Sequence, residues 1–472
     1  MINIKAIRLQ NFRGFRDASI ELKPLTVLLG PNSAGKSAFG HALAAMAHAH
    51  KGGRSGPLPS LTAPRMHADD WPIDLGETND LRTGGVKGPV QIGLETSGGW
   101  IEFGFGGLDQ CGPGLSICHV VHPSGEQSMP VGAPADAPVV SDPSVQSDTV
   151  LLEGIVHEMD TPINLTRINE LQWQDGTTPV TIILDGLILK AVTHDTGTNR
   201  VLGGAATTDL RLLLERLTYL RATRKRPSRG YRDDVGQWQP IGYSGEWTPS
   251  ILLRRGHEQV SYYVPPRTPQ STAEAQTMDY EWKPCQETLL DALGTWLSWI
   301  KIASGVTTIP PSLPDTSVRL RVTLKDDQTS RDITEVGFGV SQIVPVLVAG
   351  LLQPQDSVFI VDLPEAHLHP RPQGAIADFF CSLALSGRAS LVETHSEMFF
   401  HRLRLRAAMD PRLMKNIAVY FIDPPKDGVC STPRLVGLPF EKELQWPEGF
   451  LEEGWEMEAQ INAVRKARNP QP

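Results

Sequence analysis

The feature that most constrains this chain is Gly30-Pro31-Asn32-Ser33-Ala34-Gly35-Lys36-Ser37, which fits GxxxxGK[ST], a loop that cradles phosphates. It follows the apolar run Thr26-Val27-Leu28-Leu29, which predicts a buried strand, and precedes alanine-rich residues 38–50, which predict a helix. The glycines let backbone N–H groups turn toward an anion, and the helix N-terminus adds the positive end of its dipole. Gly30, Asn32, Ser33, Ala34, Gly35, Lys36 and Ser37 are therefore the candidate nucleotide-binding residues. Lys36 is placed to reach the β and γ phosphates of ATP, and the Ser37 hydroxyl to ligate Mg²⁺.

Such a cation needs a second anchor, usually an acid at the end of a neighbouring buried strand. Val358-Phe359-Ile360-Val361-Asp362 supplies one, which makes Ser37 and Asp362 the candidate metal ligands. Glu365, three residues on, is either the carboxylate that orients or deprotonates the attacking water or a solvated turn residue. His395 follows another β-like run and is either a γ-phosphate contact or a hydrogen-bonded structural histidine. Glu365, Lys36 and His395 form the candidate catalytic set. His367 and His369 have a spacing that can ligate metal, a weaker reading of the same loop.

Elsewhere, residues 2–9 alternate as a strand does, Asn11, Arg13 and Gly14 make a turn, and a second strand runs through Ile20. Residues 104–148, rich in Gly, Pro, Ser and Asp, read as loops and short strands. A leucine-rich helix over 209–220 leads to an arginine-rich segment, a proline-rich loop over 265–284 and a helix over 286–301. The last third predicts helix 341–352, strand 357–362, a helix after Pro370, strand 389–393, a helix after Ser396 and strand 417–422. Strands alternating with helices imply parallel pairing. The spans expected are 1–103 and 331–472 as two halves of one core, with an inserted lobe over 104–330. No repeat and no sustained heptads occupy the stretch from Lys36 to Gly339.

With 472 residues, 40% of them hydrophobic, and a formal net charge of −9, the composition is that of an ordinary soluble protein with room for more than one lobe. No run approaches the roughly 18 to 20 apolar residues of a membrane span, and the opening MINIKAIRLQNF lacks the apolar stretch of a signal peptide. A cytoplasmic protein without membrane association is expected. Cys111, Cys118, Cys285, Cys381 and Cys430 are widely spaced, with no CxxC pair, and read as reduced and mostly structural. The acidic balance argues against indiscriminate coating of nucleic acid but leaves room for a local basic groove. Arg221, Arg224, Lys225, Arg226, Arg229 and Arg232, with Tyr231 for stacking, are either a DNA, RNA or partner contact or a set of solvated and salt-bridged arginines. Arg402, Arg404 and Arg406 are expected on different helix faces and are weaker candidates.

The segments IRLQNFRGF, GPNSAGKS, IDLGETNDL, YLRATRKRPSRGY with YSGEW, VGFGVSQIVP, VFIVDLPEAHLHP, LVETHSEMFFHRLRLR and WPEGF, in this order, resemble the ABC-type ATPase superfamily that includes RecF and SMC heads. The resemblance is strongest to its AAA_15/AAA_21 and DUF3696-like branch, related to OLD-family ATPases. It implies an α/β P-loop NTPase of ABC-ATPase type: a mixed-sheet core with an N-terminal β lobe and an inserted α+β lobe. VGFGVSQ is similar to the signature motif that closes over the γ-phosphate of an ATP held by an opposite subunit, which assigns Gly337, Gly339, Ser341 and Gln342 to a contact in trans. Arg13 resembles the residue that approaches the nucleotide from the N-terminal lobe; as a residue of its own it is equally a surface arginine on a turn. In most ABC ATPases the acid ending the strand is followed by the catalytic Glu, and here that position is Leu363. The DUF3696-like relatives retain a Pro-Glu pair matching Pro364 and Glu365, which makes Glu365 the candidate base.

Relatives carry a coiled coil or a Toprim nuclease, and neither is expected here. The resemblance thus implies an ATPase that assembles into dimers or larger oligomers and controls a separate nuclease or toxin, with antiphage defence as its leading role. The alternatives are a RecF-like DNA-repair ATPase and a nucleotide-binding scaffold without turnover, the latter motivated by Leu363.

Overall fold

A computed structural model describes residues 4–53, 82–83, 90–96, 99–105, 115–121, 170–175, 178–185, 188–194, 199–201, 205–233, 240–312, 316–324, 329–425 and 430–436. The segments IDLGETNDL and WPEGF, Cys111 and most of 104–148 lie outside them.

The chain opens with a hairpin, β1 (Ala6–Phe12) and β2 (Phe15–Glu21). Its turn uses left-handed backbone at Arg13 and Gly14, with φ of 43° and 94°. β3 (Leu25–Leu29) leads through the phosphate loop into α1 (Ser37–Gly53). β4 (Val90–Thr96), β5 (Gly99–Phe105) and β6 (Leu115–Val121) join β1 and β2 in an antiparallel five-stranded sheet of order β2-β1-β4-β5-β6. β7 (Glu170–Asp175), β8 (Thr178–Asp185), β9 (Ile188–His194) and β10 (Asn199–Val201) form a second antiparallel sheet.

The middle of the chain then gives α2 (Ala205–Arg216), β11 (Thr218–Leu220), α3 (Thr248–Arg255), β12 (Gln259–Val264), α4 (Thr272–Thr277), β13 (Lys283–Thr288) and α5 (Leu289–Ile300). A small sheet of β14 (Gly305–Ile309), β15 (Arg319–Thr323) and β16 (Ser330–Asp332) follows. The last third alternates helix and strand: α6 (Phe338–Leu352), β17 (Val358–Asp362), α7 (Pro370–Leu385), β18 (Ala389–Glu393), α8 (Glu397–Met409), α9 (Pro411–Asn416), β19 (Ile417–Asp423) and β20 (Thr432–Val436).

The central sheet has order β11-β17-β18-β3-β19-β20, parallel throughout except for the antiparallel edge β20. The fold is mixed α/β around a mixed sheet, as expected. Side chains alternate across each strand, so Leu25, Val27, Phe359 and Val361 enter one core while Leu28, Val358 and Ile360 enter another on the opposite face. The first core is covered by α3, α5, α6, α7 and α8. The second holds α1 between the central sheet and the N-terminal antiparallel sheet. A helix enclosed this way needs small side chains, and Ala42, Ala44, Ala45, Ala47 and Ala49 of α1 are all buried. Gly40 carries this furthest: a Cβ there would lie 2.9 Å from Ile360 Cγ2 of β17.

Two readings from sequence are corrected. The helix expected over 209–220 ends at Arg216, and Thr218–Leu220 instead pairs in parallel with β17, so the middle span contributes an edge strand to the central sheet. Arg402 and Arg406, expected on different faces, lie one turn apart and both bind the buried Asp378, with Arg402 Nη2 2.7 Å from Oδ2 and Arg406 Nε 2.7 Å from Oδ1. Trp299 Nε1 donates to the same carboxylate at 2.8 Å. Burial alone would raise the Asp378 carboxyl, but the arginine hydrogen bonds outweigh it and hold it below its ordinary value. Cys285, Cys381 and Cys430 are free thiols, and none of the described helices is long and apolar enough to cross a membrane.

Candidate functional site

The parallel strands β17, β18 and β3 end side by side, and their loops converge over the start of α1. The phosphate loop leaves β3 at Gly30, whose φ of +144° and position, with a notional Cβ 2.6 Å from Ile422 O, admit only glycine. Ser33 is left-handed as well, with φ 62°. Lys36 is buried, and its Nζ donates to Pro31 O at 2.7 Å, so the lysine is held across its own loop. Burial lowers its pKa, and nearby Glu393 opposes that shift. Ala34 is buried in the second core, while Asn32 and Ser33 are exposed at the loop tip.

Asp362 ends β17 and is buried. Tyr219, on β11, donates its hydroxyl to Asp362 Oδ2 at 2.6 Å. Desolvation, followed by the adjoining Asp362 charge, pushes the Tyr219 phenol up, which keeps it a donor. His41 Nε2, one turn into α1, stands 3.7 Å from the same oxygen. Arg13 Nη1 lies 3.1 Å from His41 Nδ1, so the turn arginine does reach the site. Because a guanidinium can only donate, Nδ1 accepts and the Nε2 proton of a neutral His41 faces Asp362.

Arg224, expected either at a nucleic-acid or partner contact or among solvated and salt-bridged arginines, is buried, donating from Nη2 to Asp362 O at 2.8 Å and from Nη1 to Leu363 O at 3.0 Å. Burial pushes its guanidinium down to about 10, against the carboxylates of Asp362 and Glu365, and it stays charged. It clamps the strand end where Leu363 adopts a left-handed φ of 47°, a costly conformation for a leucine. Arg221 is half-buried, whereas Lys225, Arg226, Arg229 and Arg232 are exposed; Arg229 sits 3.7 Å from Glu335.

Glu365 is buried, and its Oε1 accepts the His395 N–H at 2.9 Å, tying the loop after β17 to the loop after β18. Its Oε2 has no hydrogen-bond partner, and burial raises the carboxyl. His395 is exposed, and desolvation with the nearby Lys36 charge lowers its pKa, so its ring is neutral near pH 7. His367 and His369 are exposed, and among the described residues they join no group of three His, Cys, Asp or Glu that could hold a metal; His367 packs edge-on against Phe338, ring centroids 4.8 Å apart.

The sequence reading missed Glu393. It ends β18 in register with Asp362 and is buried. Burial raises its carboxyl to about 7, with Asp362 adding to the shift and a hydrogen bond from Ser37 and the Lys36 charge opposing it. The signal was present: an acid closes the apolar run Ser390-Leu391-Val392 just as Asp362 closes its own.

Ser37, Asp362 and Glu393 offer only hard oxygen donors, which suit Mg²⁺. A buried carboxylate oxygen of Glu393 without a partner fits a cation or its water. Among the described residues no three His, Cys, Asp or Glu side chains gather into a metal cage. Mg²⁺ in phosphate sites takes one or two protein ligands and completes its shell with phosphate and water.

Of the signature residues, Gly337 is exposed and caps α6, with open space around it, and Gly339 is half-buried beside it. Ser341 and Gln342 are turned inward within this chain. Ser341 Oγ donates to Phe338 O at 2.7 Å and accepts from Gln342 Nε2 at 3.3 Å.

Residues 2–97, which contain the phosphate loop, match the family model AAA_15, described as an AAA ATPase domain. No curated protein matches the chain. Among solved structures, an SMC head bound to the C-terminal winged-helix domain of ScpA is similar at 11% identity and TM-score 0.41, covering 92% of this chain and 98% of that one. The SMC head domain from Thermotoga maritima is similar at 11% identity and TM-score 0.33, covering 92% and 100%. The SMC head with an extended coiled coil bound to the C-terminal domain of ScpA, from Pyrococcus furiosus, is similar at 10% identity and TM-score 0.39, covering 98% and 100%. Likenesses this distant carry no functional inference.

Proposed function

We propose that this protein binds Mg·ATP and hydrolyses it slowly, using the nucleotide to control its own assembly and a separate effector. The observation that carries the reading is the phosphate loop with Lys36 and Ser37, inside residues 2–97 that match an ATPase family, next to the strand-ending acid Asp362, whose Oδ2 lies 3.7 Å from His41 of α1. In this reading the loop amides and Lys36 hold the phosphates, while Tyr219 and Arg224 fix Asp362 and its backbone from β11. Mg²⁺, when bound, would neutralise phosphate charge through Ser37 and Asp362. Glu365, withdrawn from solvent with one free oxygen, is the proposed base, and His395 the proposed γ-phosphate contact. With Leu363 where a catalytic acid usually stands, turnover is slow. The exposed Gly337, with half-buried Gly339 beside it, is the proposed contact with the nucleotide of a second copy. Control of a nuclease or toxin in antiphage defence rests on the family resemblance, and the cytoplasmic location on the absence of an apolar span or signal-peptide stretch in the sequence.

Mass photometry with and without Mg·ATP, with phosphate release recorded on the same samples, tests this for the wild type, Lys36→Ala and Glu365→Gln. Assembly that follows ATP, is lost in Lys36→Ala and is trapped without turnover in Glu365→Gln supports the reading. Constant assembly and absent turnover would make ATP a structural ligand. The exposed Lys225, Arg226, Arg229 and Arg232 favour a second reading, a DNA contact, which predicts salt-dependent affinity that falls when they are neutralised.

A further inference from the structure

Three buried acids surround the start of α1, and their hydrogen bonds separate their roles. Asp362 Oδ2 is engaged by the Tyr219 hydroxyl at 2.6 Å, with His41 Nε2 at 3.7 Å. Glu365 Oε1 is engaged by the His395 N–H at 2.9 Å. Glu393 stands beside Ser37, the loop's proposed cation ligand, whose hydroxyl and the Lys36 charge work against the rise that burial gives its carboxyl. One of its oxygens, Oε2, is buried and has no partner. The backbone fixes this placement: Glu393 stands in register with Asp362 on one side and with Leu28 of the phosphate-loop strand on the other, and its carbonyl accepts the Leu363 N–H at 2.8 Å. Of the three, it is the acid built into the strand that separates β17 from β3.

We propose that Glu393 is a carboxylate of the Mg²⁺ site, a positioning residue that acts through Ser37; this rests on the nucleotide reading above. A serine that donates its proton to Glu393 presents its oxygen lone pairs elsewhere, which is what a cation ligand requires. The unpartnered Oε2 is left for a water carried by the ion. The site then has two acids, one from each of two neighbouring strands, where the sequence showed only Asp362.

The test is a titration of the full chain with Mn²⁺ in the presence of ADP, reading free Mn²⁺ by electron paramagnetic resonance, beside binding of fluorescent ADP in EDTA. Glu393→Gln should raise the Mn²⁺ concentration at half-saturation about 10- to 100-fold, the usual cost of losing an outer-sphere carboxylate. Metal-free ADP affinity should stay within about twofold, and Glu393→Asp, which keeps the charge, should lose less Mn²⁺ affinity. Ser37→Ala combined with Glu393→Gln should cost less than the two losses summed, because they act as a unit. Unchanged half-saturation in Glu393→Gln, with the wild type binding Mn²⁺·ADP, overturns the inference and leaves the nucleotide reading standing. Failure of the wild type to bind ADP at all overturns both. Should Glu393→Gln fail to fold by thermal melting, Glu393→Asp decides, and wild-type affinity with full additivity toward Ser37→Ala counts against the proposal.

Discussion

At the scale of single residues, the site depends on side chains that hold other groups still. Arg224 is the clearest case, since its two bonds are to the backbone carbonyls of Asp362 and Leu363, at the point where Leu363 is left-handed. Arg224→Ala removes both donors from a buried place and should cost about 3 kcal/mol of stability, read by urea unfolding. Arg224→Lys should recover little of it, because an ammonium is a point donor and does not reproduce the two-armed guanidinium. Full recovery by lysine would mean that the charge, rather than the fork, is what the site uses.

At the scale of elements, the distance between α1 and β17 sets the distance between Ser37 and Asp362. Gly40→Ala places a methyl 2.9 Å from Ile360 Cγ2, so the helix, the strand or the Ile360 side chain must give way. Overpacking of this kind should cost about 1–3 kcal/mol and weaken Mg·ATP binding as well. Adding Ile360→Leu, which removes Cγ2, should restore part of both in a double-mutant cycle. A different joint ties α7 to α8 through Asp378, Arg402 and Arg406. Asp378→Asn should destabilise the protein by about 3–5 kcal/mol near neutral pH by leaving buried arginines unpaired. Because the folded Asp378 pKa lies below its ordinary 3.8, its stabilisation is present above that value and is lost as pH falls through the lower folded pKa. The gap between wild type and Asp378→Asn in thermal melts should therefore narrow in acid; a gap that widens there would contradict the ion-pair account.

For the whole molecule, the open ground at Gly337 separates folding from assembly. No atom lies within 4 Å of a Cβ added there, and its backbone needs no positive φ. Gly337→Trp should melt like the wild type and bind nucleotide as a single chain, yet fail to assemble with ATP in mass photometry. Normal assembly of that variant would move the contact elsewhere. The phosphate loop, β17, β18, β19 and the helices among them were legible from sequence because long apolar periodicity and a motif agreed there. β11 was not legible, for three residues are too few to show a period and the leucines before them continue a helical one. Arg224 looked like surface charge because its partners, the carbonyls of Asp362 and Leu363, are remote in sequence. Glu393 was passed over for His395, since pairing in register with Asp362 is a property of the sheet and of no local pattern.

The place of β3 in the central sheet sets an order of events during synthesis. β3 is flanked by β18 and β19, so the strand that carries the phosphate loop has no partner when it leaves the ribosome. Its neighbours emerge only after Ala389, roughly 20 to 70 s later at ordinary rates of translation. Until then the loop has neither Asp362 nor Glu393 beside it, and an apolar strand waits uncovered. A nascent chain arrested before β18 should accordingly ignore ATP and engage chaperones, so the nucleotide site is among the last parts of this protein to come into being.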